Sequence, residues 1–308
     1  MTSDSFQNQA GFDFDPTKLK RDPRAPRTLF GLVMTGLAAL CMVLAVIPLS
    51  LVLYYIVVKG LGNFNFSLFT KLPPPPMVET QGGFGNALVG TLIMVAIATV
   101  LSVPVGVMAA IYLSEFSAGN KIAEWVRFAT NILSGVPSII IGVFVYGILV
   151  INVIPFWPRG YSAWAGGFAL ALLMLPTIVR ATEEALKLVP QEVRQASAGL
   201  GANDYQTVLR VVLPAAIPAI ITGVTLGIAR AAGETAPLLF TALNTQFWPN
   251  WDEWLFEPTA SLSVLVYDFA RVPFEDQNEI AFAAAFVLVM LVLITSAIAR
   301  FATSRSNV

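Results

Sequence analysis

The chain has 308 residues and a net charge of −1; 56 % of its residues are hydrophobic and only 12 % are charged. Soluble domains carry about 25 % charged residues, so a mean hydropathy of +0.73 points to a bilayer as solvent; the net charge says nothing about nucleic acid, and no nucleic-acid partner is expected. The chain has no histidine and one cysteine, Cys41, which excludes a histidine-based zinc site, a Ser-His-Asp triad, a histidine pH switch, a disulfide framework and a thiol pair.

Residues 1–28 form a polar, proline-bearing tail without apolar periodicity, with cations at Lys18, Lys20, Arg21, Arg24 and Arg27. It reads as a tail or as a helix lying on the membrane surface. Six apolar segments follow, at about 29–58, 85–113, 127–152, 163–180, 215–243 and 277–301. Each approaches or exceeds the ~20 residues that a spanning helix needs. The fourth is the shortest. The first is too long, and too far from Met1, for a cleaved secretory signal. The expected organisation is a cytoplasmic tail over 1–28, one six-span domain over 29–301 and a short tail over 302–308.

Beyond the first span, Pro73-Pro74-Pro75-Pro76 favours a stiff polyproline II segment, read as a spacer rather than a docking ligand. Spans one to four contain Pro48, Pro104, Pro137 and Pro176. A proline frees the carbonyl one turn earlier, and neighbouring helices must satisfy it, so the expectation is a bundle of kinked helices. The outer connection over 244–276 carries Trp248, Trp251, Trp254 and Phe256. Tryptophan concentrates at membrane interfaces, so this loop is either an interfacial re-entry or a docking surface for a soluble partner outside.

Lysine and arginine set the orientation. If the tail is cytoplasmic, six spans return Arg300 and Arg305 to the same side, together with the connections at Lys121/Arg127 and Lys187/Arg194/Arg210. The opposite loops keep Lys59, Lys71, Arg159 and Arg271, and gather Glu79, Asp252, Glu253, Glu257, Asp268, Glu275, Asp276 and Glu279. Both termini are therefore expected inside.

The inner connection between spans four and five, 181–213, is long, amphipathic and mostly helix-forming. Pro190 suits the first turn of a helix beginning at Gln191, and Gly199 and Gly201 permit a sharp turn. A second short helix is expected from Asn203 or Asp204, which can cap free N–H groups, with Val208, Leu209 and Val212 as its apolar side. Composition alone fits a helix pair resting on lipid equally well. The pattern also resembles the coupling loop of ATP-binding-cassette importer permeases: EAA, three residues, Gly, nine residues, Ile-x-Leu-Pro. The matching positions are Gln195-Ala196-Ser197, Gly201, Val211 and Leu213-Pro214, with every spacing preserved. Gln stands for Glu, Ser for the second Ala and Val for Ile; without the Glu, a charge pairing with the ATPase at this point is in doubt. The resemblance implies that Gln195–Gly201 and the helices on either side sit in a groove of a cytoplasmic ATPase.

Span five places Arg230 and Glu234 near the middle of an otherwise almost uncharged stretch. A buried arginine costs about 2.5–3.5 kcal/mol at a helix centre, and the four-residue spacing allows the two side chains to pair. Gly233 loosens the helix there, and Pro237 removes the hydrogen bond that the Gly233 carbonyl would accept. The stretch is either a structural ion pair locking two helices or part of a polar path. Arg180, at the end of span four, is either an inner-side anchor or a second guanidinium fork. Two such forks suit a tetrahedral oxyanion. Glu234 would temper the grip of Arg230 and accept a hydrogen bond from a protonated oxyanion, which sulfate cannot offer.

ARAAGETAPLLFTA at 229–242 strongly resembles the PstA-type permease family of high-affinity phosphate importers, and LSGVPSIIIGVF at 133–144 and LPTIVRATEEAL at 175–186 are similar to its corresponding segments. The resemblance covers about 30–301. It implies an all-α, six-span, MetI-like permease in the bacterial inner membrane, with both termini inside, forming half of a phosphate path. Arg180 and Arg230 fall on positions implicated in phosphate passage, with Glu234 and Thr235 beside them. Expected partners are a second, PstC-type permease, a dimeric PstB-type ATPase, an extracytoplasmic PstS-type phosphate-binding protein and membrane lipid. The chain itself carries no GxxxxGKS/T motif and is expected to bind no cofactor and catalyse no reaction; ATP and Mg would be used by the ATPase. The alternatives are a permease for phosphonate, sulfate or molybdate, or a membrane-embedded phosphatase or phosphotransferase. The latter needs a nucleophile or metal ligands, and the spans hold no histidine and no acidic cluster.

Overall fold

The computed structural model describes residues 26–62, 64–75, 82–117, 120–151, 160–253 and 255–304. Expectations resting on Lys18, Lys20, Arg21, Arg24, Pro76, Glu79, Arg159, Trp254 and Arg305 lie outside the described residues. The described residues are helical or irregular and include no strand. Those up to Tyr55 belong to one unit, and those from Ile56 onward to a second.

The first unit is most of helix α1, Pro26–Gly62, which runs unbroken through Pro48. Its 37 residues extend about 55 Å, beyond the ~30 Å hydrocarbon core, and its apolar side chains are exposed on all sides.

In the second unit the helices are α2 (Ser67–Thr70), α3 (Gly85–Ile111), α4 (Lys121–Gly135), α5 (Ser138–Val145) and α6 (Ala163–Lys187). They are followed by α7 (Gln191–Gly199), α8 (Asp204–Thr207), α9 (Leu213–Ala232), α10 (Ala236–Thr241), α11 (Leu262–Phe269) and α12 (Glu275–Ser304). π-helical turns extend α3 to Phe116 and α5 to Val150, and another joins α8 to α9, making one rod from Asp204 to Ala232. Among the described residues five helices, α1 included, are long and apolar enough to span, and α4 with α5 makes a sixth crossing if the bent pair counts as one.

α6 is the axle of this unit, packed against α3, α9, α4, α10 and α5. It is the least apolar span, with a mean hydropathy of 1.5 where the others exceed 2, because it meets protein rather than lipid. Small residues let its neighbours approach: a Cβ on Gly166 would lie 2.7 Å from the Met94 sulfur, and one on Gly167 would lie 2.6 Å from Ile97. Its residues Leu170, Leu173, Met174 and Ile178 form the main core with Met94, Ala98, Val145 and Leu238.

The prolines act unequally. Of the four in spans one to four, helices continue through Pro48, Pro104 and Pro176, and only Pro137 breaks one. Val136 is extended there, as a residue before proline prefers, and α4 and α5 meet at 107°. The third span is therefore a broken pair starting at Lys121, not one kinked helix over 127–152.

Three other boundaries differ from expectation. The fourth span continues to Lys187, so Arg180 lies inside α6 rather than at its end. The fifth ends at Ala232, because Gly233 and Pro237 terminate the helix instead of kinking it. The outer connection contains the buried helix α11, capped where the Ser261 hydroxyl accepts from the Val264 N–H. With α12 and the start of α3, α11 builds a second core that includes Phe84, Leu262, Leu265 and Ala284.

The inner connections meet at one end of the bundle, where Arg127 reaches Glu183 and Arg194 reaches Glu115. At the other end, Asn86 donates to the carbonyls of Thr245 and Phe247, and the Trp164 backbone N–H donates to the Leu255 carbonyl.

Candidate functional site

Arg230 lies in the last turn of α9, where free helix carbonyls favour a cation. Its Nε stands 3.3 Å from Glu234 Oε1, so the pair forms across the end of a helix and not along an unbroken one. The Arg230 side chain is 58 % exposed and that of Glu234 17 %. Among the described residues no group pairs with the two Nη atoms of Arg230, which leaves its planar fork open. Thr235 occupies the position before α10; its carbonyl accepts from the N–H groups of Leu238 and Leu239, and its side chain caps nothing.

Helix pairing gives the depth. Gly223 faces Ala181, and Gly227 faces Met174 and Ile178. Carried on along antiparallel α6 and α9, this register puts Arg230 within about one turn of the middle of α6. Arg230 is thus at the end of its own helix but halfway through the bundle. The break is anchored from outside, where the Ser263 hydroxyl donates to the Glu234 carbonyl at 2.8 Å. Sequence reasoning passed over Ser263, because nothing local distinguishes it from Ser261 two residues earlier.

Arg180 sits elsewhere. Its Nη2 donates to Asn131 Oδ1 at 2.9 Å and to Ser134 Oγ at 2.8 Å, both on α4. Arg180 lies beside the Ala181–Gly223 contact, whereas Arg230 is seven residues further along α9, roughly 10 Å at a helical rise. Arg180 is thus braced against α4, at a different level of the bundle from Arg230.

At the inner end, α7 begins at Gln191, with Pro190 just before it. Asn203 caps α8 in a reciprocal box with Gln206. Gly201 takes φ +87°, a left-handed turn that side chains resist, whereas Gly199 is ordinary helix. Gln195 and Ala196 are exposed; Ser197 is buried and shares a 2.9 Å hydrogen bond with Thr207, tying α7 to α8. Leu213 and Pro214 form the first turn of α9, and Pro214 is exposed. Val208 and Val212 are buried as expected, but Leu209 is exposed. Between these helices runs an apolar groove of about 340 Å³, lined by Val193, Ala196, Leu200 and Val211 among others. Leu200, 91 % exposed, stands at its edge.

α7 is also fastened to the second span. Arg194 pairs with Glu115 and donates to the Leu186 carbonyl at 2.8 Å. Glu115 was not a sequence candidate: its partner lies 79 residues away, and its charge reads locally as an ordinary inner-loop acid. No group of three or more His, Cys, Asp or Glu side chains is placed to hold a metal among the described residues.

The family model described as "Binding-protein-dependent transport system inner membrane component" matches residues 102–307. The chain belongs to this family. A Haemophilus influenzae relative, "Phosphate transport system permease protein PstA", is 40 % identical over 85 % of this chain and 89 % of its own. Two solved structures share the fold. A MetNI methionine ABC transporter chain in an inward-facing form gives a TM-score of 0.55 at 20 % identity, over 72 % of this chain and 94 % of that one. A bacterial alginate ABC transporter chain gives 0.63 at 15 % identity, over 92 % and 98 %. The chain is therefore a multi-pass, all-α membrane component of a transport system with a MetI-like fold.

Proposed function

We propose that the chain is the permease subunit of an ATP-driven importer of inorganic phosphate and forms half of the translocation path. The observation that carries this reading is the open Arg230 fork beside Glu234, held at a helix break halfway through the bundle, in a chain 40 % identical to a protein named as a phosphate transport permease. A guanidinium fork matches two oxygens of a tetrahedral oxyanion. Glu234 then faces the substrate as an acceptor, satisfied only by an oxyanion that still carries a proton; sulfate would leave it unpaired against like charge. Arg180 acts as a second station further in, braced by Asn131 and Ser134.

The protein works in a bacterial inner membrane with both termini inside. A second, PstC-type permease completes the path, a PstS-type protein delivers phosphate from outside, and a dimeric PstB-type ATPase uses ATP and Mg. That ATPase docks on the α7–α8 face through exposed Gln195, Ala196, Gly201 and Pro214, while buried Ser197 and half-buried Leu213 hold the shape of that face. Exposed Leu200 beside an apolar groove supports this choice of face. The chain supplies no catalytic group of its own.

The test is uptake of labelled phosphate by membranes carrying Arg230→Gln. Losing a fork of two charge-assisted hydrogen bonds lowers uptake by about 100-fold or more, while the protein still inserts and copurifies with its partners. Normal uptake would overturn the role of Arg230. Competition by sulfate, molybdate or phosphonate against labelled phosphate tests the choice of anion.

A further inference from the structure

Inward of the Arg230 station, α4 and α6 line a polar recess of about 360 Å³. Arg127, Asn131, Arg180, Glu183 and Lys187 line it. Three cations against one carboxylate leave two positive charges, which matches a phosphate dianion.

The cations are held from behind. Glu183 Oε1 receives Arg127 Nη2 at 3.1 Å and Lys187 Nζ at 2.8 Å. The same Arg127 nitrogen donates to the Leu113 carbonyl at 3.0 Å. Arg180 is anchored through its Nη2 alone. The Glu183 side chain is 14 % exposed, against 48 % for Arg127 and 61 % for Lys187, so the carboxylate is recessed and the cations stand at the open edge. Each cation keeps donors beyond those anchored. A liquid water occupies about 30 Å³, so the recess admits a tetrahedral phosphate group with several of its waters.

We propose that this recess binds a phosphate group, with Arg127, Arg180 and Lys187 as its ligands and Glu183 as the counter-ion the ligand displaces. Arg127, Lys187 and Glu183 thereby gain roles that differ from setting the orientation of the chain. Glu183 keeps binding weak enough for release, because it offers the cations an alternative partner and repels the arriving anion. The place of this site on a transport path rests on the reading above; its affinity for a phosphate group does not. The group has two sources: inorganic phosphate leaving the path, or the phosphate of an anionic phospholipid. Exposed Trp125 and Phe128, packed edge-to-face on α4 beside Arg127, bring the second source within reach.

The experiment uses the full-length chain in the membrane complex with which it copurifies, without a binding protein. It measures equilibrium binding of radiolabelled inorganic phosphate and anionic phospholipid retained on native mass spectrometry. The double variant Arg127→Gln/Lys187→Gln should weaken inorganic phosphate binding about tenfold or more. Glu183→Gln should tighten it by about threefold, whereas a purely structural ion-pair network would be loosened by the same change. Lys121→Gln removes an exposed cation of α4 outside the recess and should change nothing. If inorganic phosphate does not bind but a phospholipid is retained by the wild type and lost in the double variant, the site stands with lipid as its source. If the double variant loses neither ligand, or Glu183→Gln weakens the binding, the proposal is overturned. Uptake by Arg230→Gln separates the two readings: normal uptake with intact recess binding removes Arg230 from the path and leaves this site standing, whereas lost uptake with no phosphate group bound at the recess does the reverse.

Discussion

Arg194 of α7 and Glu115 at the inner end of α3 form an ion pair that is almost wholly withdrawn from solvent, with side-chain exposures of 16 % and 8 %. It joins the helix that carries Gln195, Ala196 and Ser197 directly to a membrane span, a link between α7 and α3 that bypasses the loop backbone.

Glu115→Gln therefore leaves the Arg194 charge buried without its counter-ion, a cost on the order of 3 kcal/mol. The expected outcome is loss of coupling: ATP hydrolysis persists in the assembled complex, while phosphate transported per ATP falls severalfold. Glu115→Asp retains most of the coupling. An unchanged transport ratio in Glu115→Gln vesicles would show that the pair is only structural.

Glu234→Gln tests selectivity. The substitution removes the acceptor that repels a fully deprotonated anion, so sulfate should begin to compete with labelled phosphate, its inhibitory concentration falling by about tenfold. Sulfate that remains inert against the variant rules out Glu234 as selector.

Gly201 and Gly199 give a matched pair. Gly201→Ala forces a Cβ into a backbone at φ +87°, costing roughly 1–2 kcal/mol. It should weaken copurification of the ATPase. Gly199→Ala meets open space in ordinary helix, where alanine is favoured over glycine by about 1 kcal/mol, and leaves copurification intact. Equal effects of the two would refute the requirement for a left-handed turn.

Gly142 holds α5 against α10. A Cβ there would stand 2.7 Å from the Pro237 Cα, a backbone atom that cannot swing aside. Gly142→Ala is expected to cost about 1–3 kcal/mol, seen as a lower thermal midpoint in detergent and reduced uptake, because α10 follows directly on Glu234 and Thr235. Gly147→Ala, with open space around the glycine, serves as the neutral comparison.

Much of the fold was legible because its signals are local. Apolar run length marked the spans, and the Asn203 cap and the start of α7 at Gln191 followed from residue chemistry within one turn. Proline was a weaker guide. Pro104, Pro137 and Pro176 are the same residue in similar apolar contexts, yet only Pro137 ends a helix. A helix continues through a proline when packing on either side holds it, and that packing comes from remote segments. The α11 segment was hidden for a related reason, since eight residues flanked by a polar, aromatic-rich loop do not resemble a spanning helix.

The sequence by itself determined the solvent, the apolar segments, the pairing of Arg230 with Glu234 and a sharp turn at Gly199 or Gly201, because each depends on residues at most a few positions apart or on composition. Only the tertiary structure decided which charges share a place. It separated Arg180 from Arg230 along the bundle axis, joined Arg180 to Asn131 and Ser134, and gave Arg127 to Glu183, Arg194 to Glu115 and Ser263 to the Glu234 carbonyl. The reason is physical: charges of low abundance in an apolar chain must find partners wherever helix packing brings them together, and that register is set by small residues such as Gly166, Gly167 and Gly223 on faces that sequence periodicity does not assign to particular neighbours.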